Sequence, residues 1–537
     1  MNEQNKYSLP ICYAAFLVIC LALVPWAMTF FTYATNVDIA FLTLSAERLL
    51  AGETMSQAYY DTNPPLSIIV QIPAVLLHKC AGIPLYYATT IYIFILLGLS
   101  LFATNALLKR IDGLSTTQRF IVLCVFLIMN TLSPGYDFGQ KDHILGMALF
   151  PLVLTQILIT TRVDFYKILM WCTLLAGSIL ILLKPHYGLV PAAIFLHRII
   201  YQKRIAVFKD VDFLTLTGMA IGYIAAVFLF FPDFINVILP DIVKYYASDI
   251  SPAVIQVGVI LMIQAIIPLA VCQLFLKKAH PLISVFSAVA VLCLIPFILQ
   301  GKGWAYHAIP ANTFFYCSAA LFIAHLCALG LKQIKIEKFA TIGGFLVVIG
   351  LLAWLTSQYY AKDRSAIPTH ASYMDTHFAK LISSCEEPCS FLVLHDMINI
   401  SQELSIYTGA QHASRFPTLW FTASLLNAQQ ILNDGGKARL NQEEIDTATE
   451  NYTKMIAEDF DKYDPEFIFI GIVPNPAKQG EMFDYKEYLL EKNPDLFHPI
   501  WDRYELIQTL DVDRLEYMER KKPGEDLITY KIYKKKN

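Results

Sequence analysis

The sequence predicts a polytopic α-helical membrane protein of about eleven spans, with a long first outer loop carrying juxtamembrane helices and a C-terminal soluble α/β domain. Three observations predict it. Hydrophobic residues make up 56% of the 537 and charged residues only 16%, a balance far from that of soluble domains. The apolar residues gather into stretches of membrane-crossing length, with the polar clusters at their ends. Beyond residue 360 the long stretches give way to strand-length runs.

The first stretch, Ile11 to Phe31, follows a short segment containing Lys6. Its length fits a full span, and no small-x-small cleavage site follows, so it reads as a retained helix with the N-terminus inside. Further apolar stretches fall near 84–108, 119–133, 143–161, 168–184, 188–200, 212–231, 252–275, 281–299, 308–331 and 339–358. Alternate threading places every plain basic loop on one side: Lys109-Arg110, Arg162 with Lys167, Lys203-Arg204, Lys277-Lys278, and Lys332, Lys335 and Lys338. Such loops mark the cytoplasmic face. Counting Pro64–Cys80 as a crossing would invert every later loop. That segment is therefore expected to be a juxtamembrane or interfacial helix of the first outer loop.

Two domains are expected: a multi-span membrane domain over 1–360 and a non-cytoplasmic α/β domain over 361–537. In the second, SFLVLH (390–395), FIFIGIV (467–473), YELIQTL (504–510) and LITYKIY (527–533) read as strands, and 420–433 and 442–459 as helices. The basic C-terminal KKKN does not oppose translocation, because long domains cross largely regardless of charge.

The net charge of −3 identifies no partner, and without a basic stripe on any one element no nucleic-acid role is expected. Nine cysteines lie in apolar stretches and read as small core hydrophobes. Cys385 and Cys389 lie in a polar run, where a short-loop disulfide and free thiols are both open readings outside the cytosol. A zinc site there lacks a second ligand pair. No P-loop, dinucleotide fingerprint, G-x-S-x-G or HExxH occurs.

The chemically versatile polar runs sit at the opposite span ends from the basic loops: NVDIA around Asp38, YDTNPPL (60–66), GYDFGQKDH (135–143), KPHYG (184–188) and QGKGWAYH (300–307). Asp38 just after the first span can serve as a base at a cavity mouth. As residue type alone goes, it reads more readily as the cap of the following helix. In GYDFGQKDH, an internal ion pair of Lys141 with an aspartate competes with a polar site for phosphate or sugar, involving Asp137, Gln140, Asp142 and His143. A divalent metal on Asp137, Asp142 and His143 stays open, although the spacing is generic; no metal or other cofactor is required by the pattern. Lys184, beside His186, reads equally as a snorkelling lysine. In QGKGWAYH the glycines permit close backbone approach, Lys302 offers a point charge for phosphate, and Trp304 and Tyr306 can stack on a sugar, with His307 adjacent. Lys141, Lys184 and Lys302 on one non-cytoplasmic face run against the positive-inside trend, which suggests an anion there. The loop from FPDF (231–234) to Ser251, with Asp233, Asp241, Lys244, Tyr245, Tyr246 and Asp249, reads as an ordinary solvated loop.

An early Asp38 in a long first outer loop, the run Tyr60-Asp61-Thr62-Asn63-Pro64-Pro65-Leu66, many spans and QGKGWAYHAIP together resemble the GT-C superfamily of integral-membrane glycosyltransferases. That group includes protein O-mannosyltransferases and aminoarabinose transferases acting on lipid A. The resemblance implies a sugar taken from a polyprenyl-phosphate donor and placed on a lipid, glycan or protein acceptor at the non-cytoplasmic face. It implies that Asp38 matches the first-loop catalytic acid, with Tyr60 and Asp61 near the substrate. Asn63 stands where the family often has lysine, a departure for which Lys141, Lys184 or Lys302 could compensate. The implied location is a bacterial inner membrane with the C-terminal domain in the periplasm. A transporter or flippase for an amphipathic anion is the competing reading, weakened by the lack of paired repeats.

Overall fold

The computed structural model describes all residues except 1–2, 247–251, 276–278, 333–336, 363–368, 386–388, 397, 399, 476–477, 479, 514–526 and 537. The predicted basic residues Lys277, Lys278 and Lys335 and the loop residues Asp249 and Ser251 thus lie outside the described residues. The chain divides into two compact units. One comprises Met1–Phe31, Thr90–Ala226 and Ser248–Ala361; the other comprises Thr32–Thr89, Val227–Ala247 and Lys362–Asn537.

In the first unit every predicted span is helical. Seven helices among the described residues are long and apolar enough to cross a membrane: Leu9–Thr29, Leu85–Leu108, Lys141–Thr161, Val211–Phe230, Pro252–Val271, Pro281–Gln300 and Ala305–Cys327. The other four expected spans correspond to shorter apolar helices, Thr116–Thr131, Lys167–Ile181, Leu189–Ile200 and the stretch Gly343–Ser357. Local signals set several ends. Ser115 and Gln118 form a reciprocal capping box, which satisfies two otherwise orphaned N–H groups. Gly301, at φ +66°, closes Pro281–Gln300 in the left-handed region where a Cβ is costly. Helices 141–161 and 167–181 approach closely at Gly177, where a Cβ would lie 2.8 Å from Leu152; small residues permit such backbone contact in lipid. Phe150 packs on Phe126, Phe286 and Phe314 with ring centroids 4.8–5.1 Å apart. This aromatic core joins four helices around one centre.

The second unit is α/β. Its strands are β1 (Ser390–Leu394), β2 (Gln411–His412), β3 (Phe467–Pro474), β4 (Met482–Phe483), β5 (Tyr504–Asp513) and β6 (Leu527–Lys535). The sheet order is β2-β1-β3-β6-β5, with β4 paired to β3. β2, β1 and β3 run parallel, whereas β6 is antiparallel to both β3 and β5. The continuous apolar runs of β1 and β3 follow from burial on both faces. Phe378, Phe391, Phe469 and Ile532 are centred in that core. Cys385 and Cys389 are joined as a disulfide with Cα atoms 5.7 Å apart, so the bonded alternative is the one adopted.

The segment 64–80 belongs to this unit and breaks into two short helices, Pro65–Ile69 and Ile72–Ala81. The longer rises about 15 Å, half the hydrocarbon thickness. Neither can cross. The loop 231–246 is equally structured. Asp233 accepts from the Ser56 amide at 2.8 Å, Lys244 pairs with Glu444 at 2.9 Å, and Arg439 donates to the Val243 carbonyl at 2.6 Å. The expected solvated loop is instead an integral part of the unit, because its carboxylates and carbonyls find partners in both the first loop and the C-terminal region.

Candidate functional site

Three short 3₁₀ turns carry three of the predicted motifs in the first unit. They are Gly135–Asp137, Pro185–Gly188 and Ala305–Ala308, each at the end of an apolar helix. Proline and glycine at these positions stop the helices and turn the chain back. The result is a polar cluster at one end of the bundle.

At its centre Asp142, fully buried, faces Lys184 Nζ at 2.6 Å. Lys184 Nζ also donates to Gln300 Oε1 at 2.6 Å and lies 5.4 Å from the Tyr306 ring centre. The Tyr187 hydroxyl points to Asp142 Oδ1 at 3.1 Å and to the His307 carbonyl at 2.9 Å. Trp304, Tyr306 and His307 pack ring to ring, with centroids 4.5–5.6 Å apart. Lys141, Lys184, Lys302 and His186 all lie within electrostatic reach of His307. Burial lowers the Lys302 ammonium below the usual lysine range. Burial, reinforced by Lys184 and opposed by Asp142, holds His186 down to about 4. The imidazole is therefore neutral at physiological pH and adds no further cation.

Several alternatives are resolved here. Lys184 does not snorkel; it is anchored inward by Asp142 and Gln300. The internal ion pair on Asp142 comes from Lys184 at 2.6 Å. His143 takes the Gly139 amide on Nδ1 at 3.0 Å and meets the Asn130 carbonyl through Nε2 at 2.9 Å. Its two nitrogens thus tie the 135–140 turn to the helix Thr116–Thr131. Asp137 is half-buried in that turn, and its backbone carbonyl accepts from Gln140 at 3.0 Å. With Asp142 on Lys184 and His143 saturated, Asp137, Asp142 and His143 do not form a ligand set. Among the described residues no group of three or more His, Cys, Asp or Glu is arranged for a metal.

The remaining predicted residues belong to the second unit. Asn36, not Asp38, caps the helix Val37–Leu50, accepting the Asp38 amide on its side chain at 3.0 Å. Asp38 is left half-buried in the first turn, where a carboxylate favours the positive helix end. Asp61 accepts the Asn63 amide at 3.2 Å as the chain turns into Pro64-Pro65, and the Asn63 side-chain amide bonds to the same carboxylate. Asn63 is thereby used locally. Asp38 and Asp61 both act on Tyr246, whose phenol is pushed up to about 12 by burial first, then by Asp61 and Asp38. Tyr60 is tied into the second unit at both its side chain and its backbone. Its buried hydroxyl donates to Asp241 Oδ2 at 2.5 Å, and Tyr452 donates to the same oxygen at 2.8 Å. Its amide donates to the Arg415 carbonyl at 2.7 Å.

Sequence reasoning missed Tyr187, Gln300, Asp241 and Tyr246 as members of these groups. Tyr187 and Gln300 stood inside motifs already singled out, but a tyrosine or glutamine at a span end reads as interfacial decoration. Nothing local marks Asp241.

No protein-family model matches this chain, and no curated protein matches it. Solved structures do. ArnT from Cupriavidus metallidurans in the apo state is similar with a TM-score of 0.50 at 12% identity, over 74% of this chain and 84% of that one. The Archaeoglobus fulgidus oligosaccharyltransferase in the apo form gives a TM-score of 0.44 at 10% identity, over 86% and 69%. Arabinofuranosyltransferase AftD from Mycobacteria gives 0.43 at 11% identity, over 99% and 40%. The likeness to ArnT is one of fold, and the long apolar helices mark the chain as an integral membrane protein.

Proposed function

We propose that this chain is a glycosyltransferase that moves a sugar from a polyprenyl-phosphate-linked donor to a lipid, glycan or protein acceptor on the non-cytoplasmic face. The observation that carries the reading is the gathering of Lys141, Lys184 and Lys302 around His307 at one end of the bundle, with Lys184 set by Asp142. Ammonium groups gathered at one place favour an anion there. A phosphate suits three point-charge donors. Trp304 and Tyr306 offer rings on which a sugar or the first isoprene unit can lie.

In this reading Asp38 accepts the proton of the acceptor's hydroxyl or amine, or orients it, as the acceptor atom bonds to the anomeric carbon. The bond from that carbon to the phosphate oxygen breaks, and its electron pair stays on the phosphate. The lysines stabilise that charge as it develops, which lowers the barrier. Asp61 would sit near the acceptor. Eleven helices cross the bilayer, and residues 361–537 form a periplasmic domain at a bacterial inner membrane. The Cys385–Cys389 disulfide supports that side, since such bonds are rare in the cytosol.

The test is reconstitution in liposomes with a radiolabelled polyprenyl-phosphate sugar. Loss of label from the donor, by hydrolysis or transfer, is expected, and Asp38→Asn should abolish it without unfolding the protein. Near-normal transfer by that variant would overturn the role of Asp38. Donor crossing the bilayer chemically unchanged would establish a flippase instead.

A further inference from the structure

Lys184 is held in place by a relay that no motif announces. Asp142 is wholly buried, and each of its carboxylate oxygens has a separate task. Oδ2 faces Lys184 Nζ at 2.6 Å, and Oδ1 accepts from the Tyr187 hydroxyl at 3.1 Å. The same hydroxyl lies 2.9 Å from the His307 carbonyl. Tyr187 thus touches the helix that starts at Lys141 and the 3₁₀ turn that carries Tyr306 and His307, and it sits three residues from Lys184 itself. Its ring is completely buried, so the hydroxyl has no solvent with which to replace these partners. Gln300 clamps the ammonium from the last residue of the helix Pro281–Gln300. Its own side-chain amide is fixed on the Pro296 carbonyl at 3.1 Å.

The arrangement is what a charged group needs if it must meet a ligand without rearranging. A flexible lysine loses rotamer entropy on binding, and a pre-oriented one does not. A surface lysine could be left to find a phosphate by itself. This one is held by a buried carboxylate that is in turn oriented by a phenol, the same logic by which outer hydrogen bonds orient metal ligands.

We propose that Tyr187, Asp142 and Gln300 are positioning residues that present Lys184 to an anionic ligand, with Tyr187 setting the carboxylate and the carboxylate setting the ammonium. The inference rests on the donor-phosphate reading above. Tyr187 does not touch the ligand; it acts through Asp142.

The experiment measures binding of a short-chain polyprenyl phosphate to the full-length protein in detergent, together with donor and acceptor KM in the transfer assay. Tyr187→Phe removes one hydroxyl and keeps the ring. It should weaken polyprenyl-phosphate binding and raise donor KM roughly ten- to hundredfold, the usual effect of a lost hydrogen bond to a charged group. Acceptor KM should stay within about twofold. Gln300→Leu, which removes the acceptor for Lys184, should lose about tenfold. A merely structural role would shift both KM values together and lower the unfolding temperature in step. If Lys184→Ala abolishes binding but Tyr187→Phe leaves it unchanged, the positioning inference fails and the donor reading survives. If neither variant alters polyprenyl-phosphate binding, the donor reading itself fails.

Discussion

Two buried charge clusters lie in the first unit, and they are built to opposite rules. Around Arg198, which is fully buried, every donor direction is answered. Nε donates to Thr160 Oγ1 at 2.7 Å, one terminal nitrogen reaches Asp210 at 3.2 Å and Asp212 at 3.1 Å, and the other reaches the Gln156 carbonyl at 2.9 Å and Asp212 at 2.7 Å. Arg204 adds a bond to Asp210 at 2.6 Å. Two arginines face two aspartates, so the group is neutral and complete. The other cluster gathers Lys141, Lys184 and Lys302 around His307, with Lys184 paired to Asp142. The first is centred on a fully buried arginine, whereas the second is built on lysines, with Lys302 half-exposed. The planar arginine fork suits a permanent lattice, and lysine suits a partner that comes and goes. A closed arginine network belongs to the architecture; on the proposed function, the lysine cluster is where a ligand binds.

The comparison is most sharply tested by removing each central cation. Arg198→Ala should cost about 3–5 kcal/mol of stability, because Asp210 and Asp212 are left buried and uncompensated. Thermal unfolding and detergent extraction would register the loss, while turnover per folded molecule should hold. Lys184→Ala should do the reverse, with turnover falling on the order of a hundredfold or more and a smaller change in unfolding temperature. Equal behaviour of the two variants would dissolve the distinction.

A smaller effect is expected at the rim. Lys302→Ala should raise donor KM about tenfold, with much of that difference disappearing at high salt as charges on the wet side are screened. The Arg198 network, by contrast, should be insensitive to salt.

The smallest effect is a pH dependence. His186 is held down to about 4 in the folded protein, chiefly by burial and next by Lys184. The sign follows from its ordinary value near 6.5. Above that pH the imidazole is neutral in both states, and the folded protein is at its full stability. Between pH 6.5 and 4 the unfolded chain takes up the proton first, so stability declines as pH falls. His186→Gln should make the decline shallower in that window, measured as unfolding temperature against pH. A steeper decline would mean that His186 is charged in the folded protein.

Much of the architecture was legible in advance. All eleven apolar stretches are helices, and the strands expected at 390–395, 467–473, 504–510 and 527–533 lie at β1, β3, β5 and β6. Apolar runs of span length and strand length differ in period and extent, and those properties are local. The motifs carrying Lys184, Tyr306 and His307 were also visible, because proline, glycine and charge at a span end are conspicuous. Partners were not. For Asp142 the sequence slightly favoured a phosphate or sugar site over an ion pair with Lys141, and it gave no sign that the Tyr60 hydroxyl donates to Asp241. Asp38 read as a cap, although Asn36, two residues earlier, performs that task. A helix begins with one cap, and two nearby polar residues compete for it in ways that sequence pattern does not rank.

By itself, then, the sequence determined that this is a membrane protein, where its helices lie, and which span ends gather polar groups. These follow from hydrophobicity, length and charge, which each residue brings with it. Only the tertiary structure decided that Lys184 turns inward to Asp142 and Gln300, that Tyr187 braces them, and that the loop around Asp241 is built into the second unit. Those outcomes depend on groups 45 to more than 200 residues apart meeting where water is absent. There, a buried carboxylate must find its partner from wherever in the chain the fold brings one.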